Sequence, residues 1–250
     1  MPGSDRAVVE IVEVIRRSEH GITLPFLCRG DDGKFYFVKG AGAGRDSQVK
    51  EWVSGNLAQL LGVPVAPFKI VHVPEEILEG LSQEHARDLG SGPAFGSEEQ
   101  RITELSWVQV ADVPDALRKK VLFFDWWISN DDRNFTELSG NPNLFWEPAA
   151  GRLVVIDHNQ AFDPEFCPES FFALHAFREC AEGIAGDWVE REFYTSKARQ
   201  ALDHWDEIAS SVPEEWHYID EEMTIQVGFS LDAFLEHLQR FESDDFWDWK

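Results

Sequence analysis

Cationic side chains are scarce in this chain. Its 250 residues carry 22 Lys and Arg against 46 Asp and Glu, a net charge of −24. A surface that acidic excludes general nucleic-acid binding, which needs clustered lysine and arginine, and it argues equally against docking on an anionic membrane. A phosphate ligand held in a cleft by a few local cations is still allowed. Cysteine is scarce too. Cys28, Cys167 and Cys180 are an odd number without CxxC spacing. They exclude a disulfide framework and a zinc site, and they point to reduced thiols in a cytoplasmic protein. No apolar run reaches the ~18 uncharged residues of a transmembrane helix. The opening MPGSDRAVVEIVEV has acids where a secretory signal has a basic start and an apolar centre, so no signal is expected. GxSxG and HExxH are absent, which removes an α/β-hydrolase and a zinc protease. There is no internal repeat and no low-complexity linker.

What is present suffices for a core. Hydrophobic residues make up 43% of the chain, and its length fits one large domain or two lobes sharing a cleft. The ten tryptophans read as core or interface material.

The first hundred residues read as a small α/β unit. VVEIVEVIRR (8–17) is rich in β-branched residues and predicts a strand. The polar turn SEHGIT (18–23) leads to a second strand, LPFLC (24–28), and the DDG turn (31–33) to a third, KFYFVK (34–39). These strands are expected to be antiparallel neighbours ending at Lys39. GAGAG (40–44) reads as a flexible connection to a helix from about Gln48 to Leu61. That helix has an apolar face of Val49, Trp52, Val53, Leu57 and Leu60, with Glu51 opposite it, followed by the small residues Gly55, Ala58 and Gly62. GVPVAPFKIVHV (62–73) predicts a turn and a further strand. Residues 74–100, rich in glycine, serine and charge, read as the crossing between lobes, which gives an N-lobe of 1–92 and a C-lobe of 93–250.

Beyond Arg101 the pattern is mostly helical. PDALRKKVLFFDWWI predicts a buried helix, followed by the polar stretch SNDDRNFTELSGNPN. NLFW, EPAAGR and LVVI predict a short hairpin delivering DHNQAF (157–162). Three amphipathic helices follow, near 168–181, 187–210 and 230–241. The acidic, aromatic end ESDDFWDWK reads either as a partner-binding tail or as a terminus that tucks two tryptophans onto the C-lobe.

Four features acquire meaning together: Lys39 at a strand end, Glu51 on the next helix, the polar loop carrying Asp132 and Asn143, and Asp157 directly after LVVI. Phosphoryl transfer from a nucleotide needs a lysine to neutralise phosphates and an acid on a helix to fix that lysine. It also needs an aspartate to orient the attacking hydroxyl, and hard Asn and Asp oxygens to hold magnesium. Strand lysine, helix glutamate, a D…N loop and a hairpin ending in Asp is the order of a protein-kinase-like fold. GAGAG is not a P-loop: it follows the lysine and lacks the GxxxxGK[ST] spacing.

The stretches GITLPFLCRGDDGKFYFVKG, VKEWVSGNLAQLLGVPVAPF, GPAFGS, FFDWWISNDDRN, NPNLFW and VVIDHNQAF resemble the HipA-like kinases, in particular a short bacterial branch without an extra N-terminal module. They span 21–162. The resemblance implies an α+β, two-lobed, protein-kinase-like fold, with a small antiparallel-sheet N-lobe and a mostly helical C-lobe. It implies ATP and Mg2+ as cofactors and a protein serine or threonine as acceptor. It further implies Lys39 on the nucleotide phosphates with Glu51 as its partner. Asp132 is the implied catalytic aspartate, with Asp131 as a non-catalytic neighbour, and Asn143 and Asp157 are the implied magnesium ligands. SEHGIT, with Ser18, Gly21 and Thr23, becomes the loop over the phosphates. In relatives that loop can carry a regulatory autophosphorylated serine, a part that falls to Ser18 or Thr23. Relatives often act as toxins balanced by an antitoxin protein, which makes a partner protein an implied associate.

Ten residues separate Asp132 from Asn143, more than the D-x-x-x-x-N of ordinary kinase loops allows. Either FTELSG loops out, or Asn134 faces the metal instead. Two further readings keep part of the pattern: a small-molecule or lipid kinase of the same fold, and a non-catalytic kinase-like module that binds a partner.

Overall fold

The computed structural model describes residues 8–19, 23–136, 140, 142–220 and 222–249. The protein is a mixed α/β chain whose residues gather into two compact units, each assembled from discontinuous segments. Residues 1–49, 66–100 and 213–227 form the first unit, and 50–65, 101–212 and 228–250 the second. The expected boundary at 92/93 therefore differs from the observed grouping: the strand around Phe95 stays with the first unit, as does a short return segment near Trp216.

The first unit is built on β1 (Val9–Arg17), β2 (Phe26–Gly30) and β3 (Phe35–Lys39). They are consecutive antiparallel neighbours, as their β-branched content and short turns predict. At the β2–β3 turn Gly33 has φ +79°, a conformation that a side chain would strain, and the Tyr36 hydroxyl donates to Asp32 at 2.8 Å. After β3, GAGAG forms a 3-10 turn over Ala41–Ala43 and leads into α1 (Arg45–Leu61). The turn is packed and not a loose tether: a Cβ on Gly40 would collide with the Leu89 carbonyl. Helix α1 is buried on every face from Glu51 to Ala58, so Gly55 and Ala58 of the small-residue strip are a packing surface like its apolar one, whereas Gly62, past the helix end, is exposed.

Residues 74–100 are not a simple crossing. After β4 (Phe68–Val73) come α2 (Glu75–Leu78), α3 (Gln83–Leu89) and β5 (Gly92–Glu98). Strand β5 pairs antiparallel with both β3 and β4, while β4 runs parallel to β1. The expected small antiparallel sheet thus closes into a five-stranded barrel, β1-β2-β3-β5-β4, which leaves no unpaired edge. Gly96 is part of the reason: a Cβ there would stand 2.7 Å from Val71 Cγ1 on β4. Ile11, Cys28, Tyr36, Val38, Val71 and Ala94 fill the barrel. From the return segment, Trp216 is fully buried and donates its indole N–H to the Pro93 carbonyl at 2.9 Å.

The second unit carries a small sheet of β6 (Thr103–Glu104), β7 (Leu144–Glu147) and β8 (Arg152–Val155), with α4 (Asp115–Trp127) between β6 and β7 in sequence. The second half of α4 is wholly buried from Val121 to Trp127. Helices α5 (Pro168–Leu174), α6 (Ala181–Ala185), α7 (Trp188–Leu202), α8 (Trp205–Ser210) and α9 (Leu231–Leu238) follow. They replace the three longer helices expected. The first of those stops at Leu174 because His175 turns to extended backbone and pairs with Asn134. The second breaks between α7 and α8.

The aromatic end of the chain packs inward. Trp127 donates to the Leu238 carbonyl at 2.8 Å, and Trp126 to the Phe246 carbonyl at 3.1 Å. Trp247 stacks on Phe123 with centroids 5.9 Å apart, and Trp249 sits 5.7 Å from Trp126. Tucked tryptophans, rather than a free tail, are what ESDDFWDWK becomes. Among the described residues no helix is long and apolar enough to cross a membrane, and Cys28, Cys167 and Cys180 are free thiols.

Candidate active site

The end of α4 sets the site. Asp125 is the one acid inside the apolar run LFFDWWI, and it is fully buried. A buried carboxylate needs partners, and it has three side-chain ones: Arg133 Nε at 2.7 Å, Asn130 Nδ2 at 3.0 Å and His175 Nε2 at 3.2 Å. Burial alone would raise the Asp125 carboxyl, but Arg133, with His175 and Asn130, outweighs it and holds the group below the usual carboxylate range. His175 moves down because burial disfavours its charged form more than Asp125 favours it.

Arg133 is fully buried and uses its remaining donors on backbone. Nη1 reaches the carbonyls of Ile156 at 3.0 Å, Pro142 at 3.3 Å and Asn143 at 3.4 Å, and Nη2 reaches that of Asp157 at 3.3 Å. These four carbonyls flank the open end of the β7–β8 hairpin. There the Ile156 amide donates to the Asn143 carbonyl at 3.1 Å, so the residues entering and leaving the hairpin are adjacent. Asn143 and Asp157 both have left-handed backbones, φ +51° and +60°, a conformation that Asn and Asp tolerate better than most residues.

Asn143 donates its side-chain amide to Asp132 Oδ2 at 2.8 Å. This is the Asn, not Asn134, that the fold hydrogen-bonds to Asp132. Asn134 pairs its backbone with His175, and its buried Oδ1 has no hydrogen-bond partner. The ten-residue separation is absorbed by a narrow neck, because Phe135 and Gly140 pair as an isolated antiparallel bridge. The intervening residues 137–139 lie outside the described residues.

After Asp157, the His158 amide donates to Glu51 Oε2 at 3.0 Å, and both residues are buried. Helix α1 thereby fastens the segment that follows Asp157. Asp131, beside Asp132, is raised above the usual carboxylate range by burial and by the charge of Asp163.

Asp132, Asn143, Asp157 and Glu51 are thus linked within the second unit. Lys39, the buried last residue of β3, belongs to the barrel unit with its Cα opposite Phe95. Ser18 and Thr23 belong to that unit as well, and the Ser18 amide donates to the Pro25 carbonyl at 2.8 Å. Gly21 lies outside the described residues.

The donor set suits magnesium. With its nitrogen donated to Asp132, Asn143 keeps its amide oxygen as a hard acceptor next to the Asp132 carboxylate, and Asp157 supplies a further carboxylate at the other end of the hairpin. Among the described residues no group of three or more His, Cys, Asp or Glu forms a self-sufficient metal cage. Magnesium does not need one, since it is held by one or two protein oxygens plus substrate phosphates and water. Arg133, Asp125, Asn130 and His175 are not in the constellation read from sequence. The available signal was an aspartate inside an apolar helix, which implies a buried partner close by.

A family model described as HipA-like kinase matches residues 11–250. No curated protein matches the chain. Among solved structures, the Helicobacter pylori proinflammatory kinase CtkA is similar at 11% identity, over 98% of this chain and 97% of that one, with a TM-score of 0.44.

Proposed function

The chain belongs to the HipA-like kinase family, and we propose that it is an ATP- and Mg2+-dependent phosphotransferase. Its design would be two-lobed and protein-kinase-like, and its acceptor a serine or threonine hydroxyl of a protein. The observation that carries this reading is the 2.8 Å hydrogen bond from Asn143 to Asp132, made at the end of a hairpin whose other strand leads to Asp157.

Each side chain has a part. Asp132 orients the acceptor hydroxyl and accepts its proton, and the Asn143 bond fixes the carboxylate that does so. Asn143 Oδ1 and Asp157 are the oxygens that hold the metal. A magnesium ion held there would supply neutralisation of the phosphate charge. Lys39 neutralises the phosphates, and the turn bearing Ser18, Gly21 and Thr23 covers them. Glu51 fixes the segment after Asp157.

The test is the purified chain with labelled ATP, Mg2+ and a panel of protein, small-molecule and lipid acceptors. Phosphate transfer to Ser or Thr of a protein is expected. Asp132→Ala should abolish it while moving the thermal melt by only a few degrees, since one partly buried hydrogen bond is worth about 1 kcal/mol. Absence of ATP binding at millimolar Mg2+ would overturn the reading. Transfer to a non-protein acceptor alone would replace the substrate class.

A further inference from the structure

We propose that Arg133 is the positioning residue of this site: one guanidinium sets the metal-holding Asn143 and Asp157 relative to Asp132. The inference rests on the functional reading above. It begins with an asymmetry in what Arg133 does. Its Nε is committed to Asp125 at the end of α4, at 2.7 Å. Its two terminal nitrogens face the hairpin and reach the carbonyls of Pro142, Asn143, Ile156 and Asp157 between 3.0 and 3.4 Å. Asp132 is its neighbour in sequence. Three segments, the loop after α4 and the two ends of the hairpin, are therefore registered against one rigid plane, in addition to the direct bonds from Asn143 to Asp132 and from Ile156 to Asn143.

The chemistry requires arginine. A guanidinium offers five donors in a fixed fork, whereas an ammonium is a point charge on a flexible stem that cannot serve a carboxylate and four carbonyls at once. Asp125 in turn is held by Asn130 and His175, so the fork is anchored before any ligand arrives. Two of the four carbonyls that Arg133 holds belong to Asn143 and Asp157, the residues proposed to hold the metal, and the other two to Pro142 and Ile156 directly before them. Asn143 and Asp157 have φ +51° and +60°. Holding the backbone on the carbonyl side aims the Asn143 amide and the Asp157 carboxylate without touching either. Groups that orient metal ligands in this way typically change metal affinity by about 10–100-fold when removed.

The test reads metal dependence of binding, not only turnover. R133K, wild type and V121A are titrated by calorimetry with a non-hydrolysable ATP analogue, without Mg2+ and across a Mg2+ series. Val121 is fully buried on the same helix and has no part in the hydrogen-bond network, so V121A reports what general destabilisation does. R133K should raise the Mg2+ concentration for half-maximal affinity about tenfold or more and leave Mg2+-free affinity unchanged. V121A should lower the melt without shifting the Mg2+ series. A folded R133K with the wild-type Mg2+ series overturns the proposal and leaves the kinase reading intact. A wild type with no Mg2+-dependent binding overturns the reading and the proposal together. If R133K does not fold, D125N, which loosens the anchor of the same guanidinium, is judged by the same two outcomes. Failure of both variants to fold shows a purely structural network and overturns the proposal.

Discussion

Glu51 Oε2 accepts the backbone N–H of His158 at 3.0 Å, and both residues are buried. The bond joins the middle of α1 to the residue after Asp157. Glu51→Ala leaves a buried amide without its acceptor, which costs about 1–3 kcal/mol. Glu51→Gln keeps an acceptor oxygen and should cost less. In thermal melts the order is expected to be wild type, then E51Q, then E51A, with ATP turnover falling in the same order. Equal melts for E51Q and E51A would show that the bond contributes nothing.

Asn143 combines a left-handed backbone with a side-chain bond to Asp132. Asn143→Gly removes the bond but suits the backbone. Asn143→Ala removes the bond and adds a left-handed strain of about 1–2 kcal/mol. The alanine variant should therefore melt several degrees below the glycine variant, while both lose Mg2+-dependent nucleotide binding. Calorimetry and circular dichroism on the pair separate the two contributions.

Acid should destabilise the chain through the buried His175 and the half-buried His237. His175 is lowered from an ordinary value of 6.5. His237 is lowered by burial, and then by Arg240, to about 3. Each takes up a proton more readily when unfolded, so its stabilisation is complete above 6.5 and is lost as pH falls below that value. Asp125, held low from 3.8, acts in the same direction at still lower pH. For His237, lowered to about 3, the loss between pH 7 and pH 5 is about 1–2 kcal/mol. H237Q should flatten the melting-temperature profile between pH 7 and 5. A profile as steep as wild type would exclude His237 as a source.

Two glycines of GAGAG separate packing from backbone strain. Gly44, φ +84°, has nothing within 4 Å of a built Cβ, whereas a Cβ on Gly40 meets the Leu89 backbone. Gly44→Ala should cost about 1 kcal/mol. Gly40→Ala should cost more, because backbone must move. Denaturant midpoints at equal slope would rank them, and a milder G40A would contradict a close-packed turn.

These residues also show what was legible in the sequence. Strands β1 to β3, α4 and the β7–β8 hairpin announce themselves by β-branched runs, turn glycine and apolar density, all local signals. Strand β5 does not. GPAFGSE reads as loop because Gly96 is there for Val71 on β4, a neighbour that only the closed barrel supplies, and Gly92 for its left-handed turn of φ +87°. The break at His175 was equally hidden, since it answers to Asp125 fifty residues away. Asp132, Asn143 and Asp157 were singled out by side-chain type alone, and the fold brings Asn143 and Asp132 into hydrogen-bond contact. Arg133 was not, because four of its acceptors are carbonyls, which every residue possesses and no sequence displays.

The bridge between Phe135 and Gly140 turns the distance from Asp132 to Asn143 along the chain into a free variable. Whatever lies beyond that neck can lengthen or shorten without changing where the two side chains meet. An insertion between Phe135 and Gly140 would enter and leave the fold through that one bridged pair, with Asp132 before it and Asn143 after it.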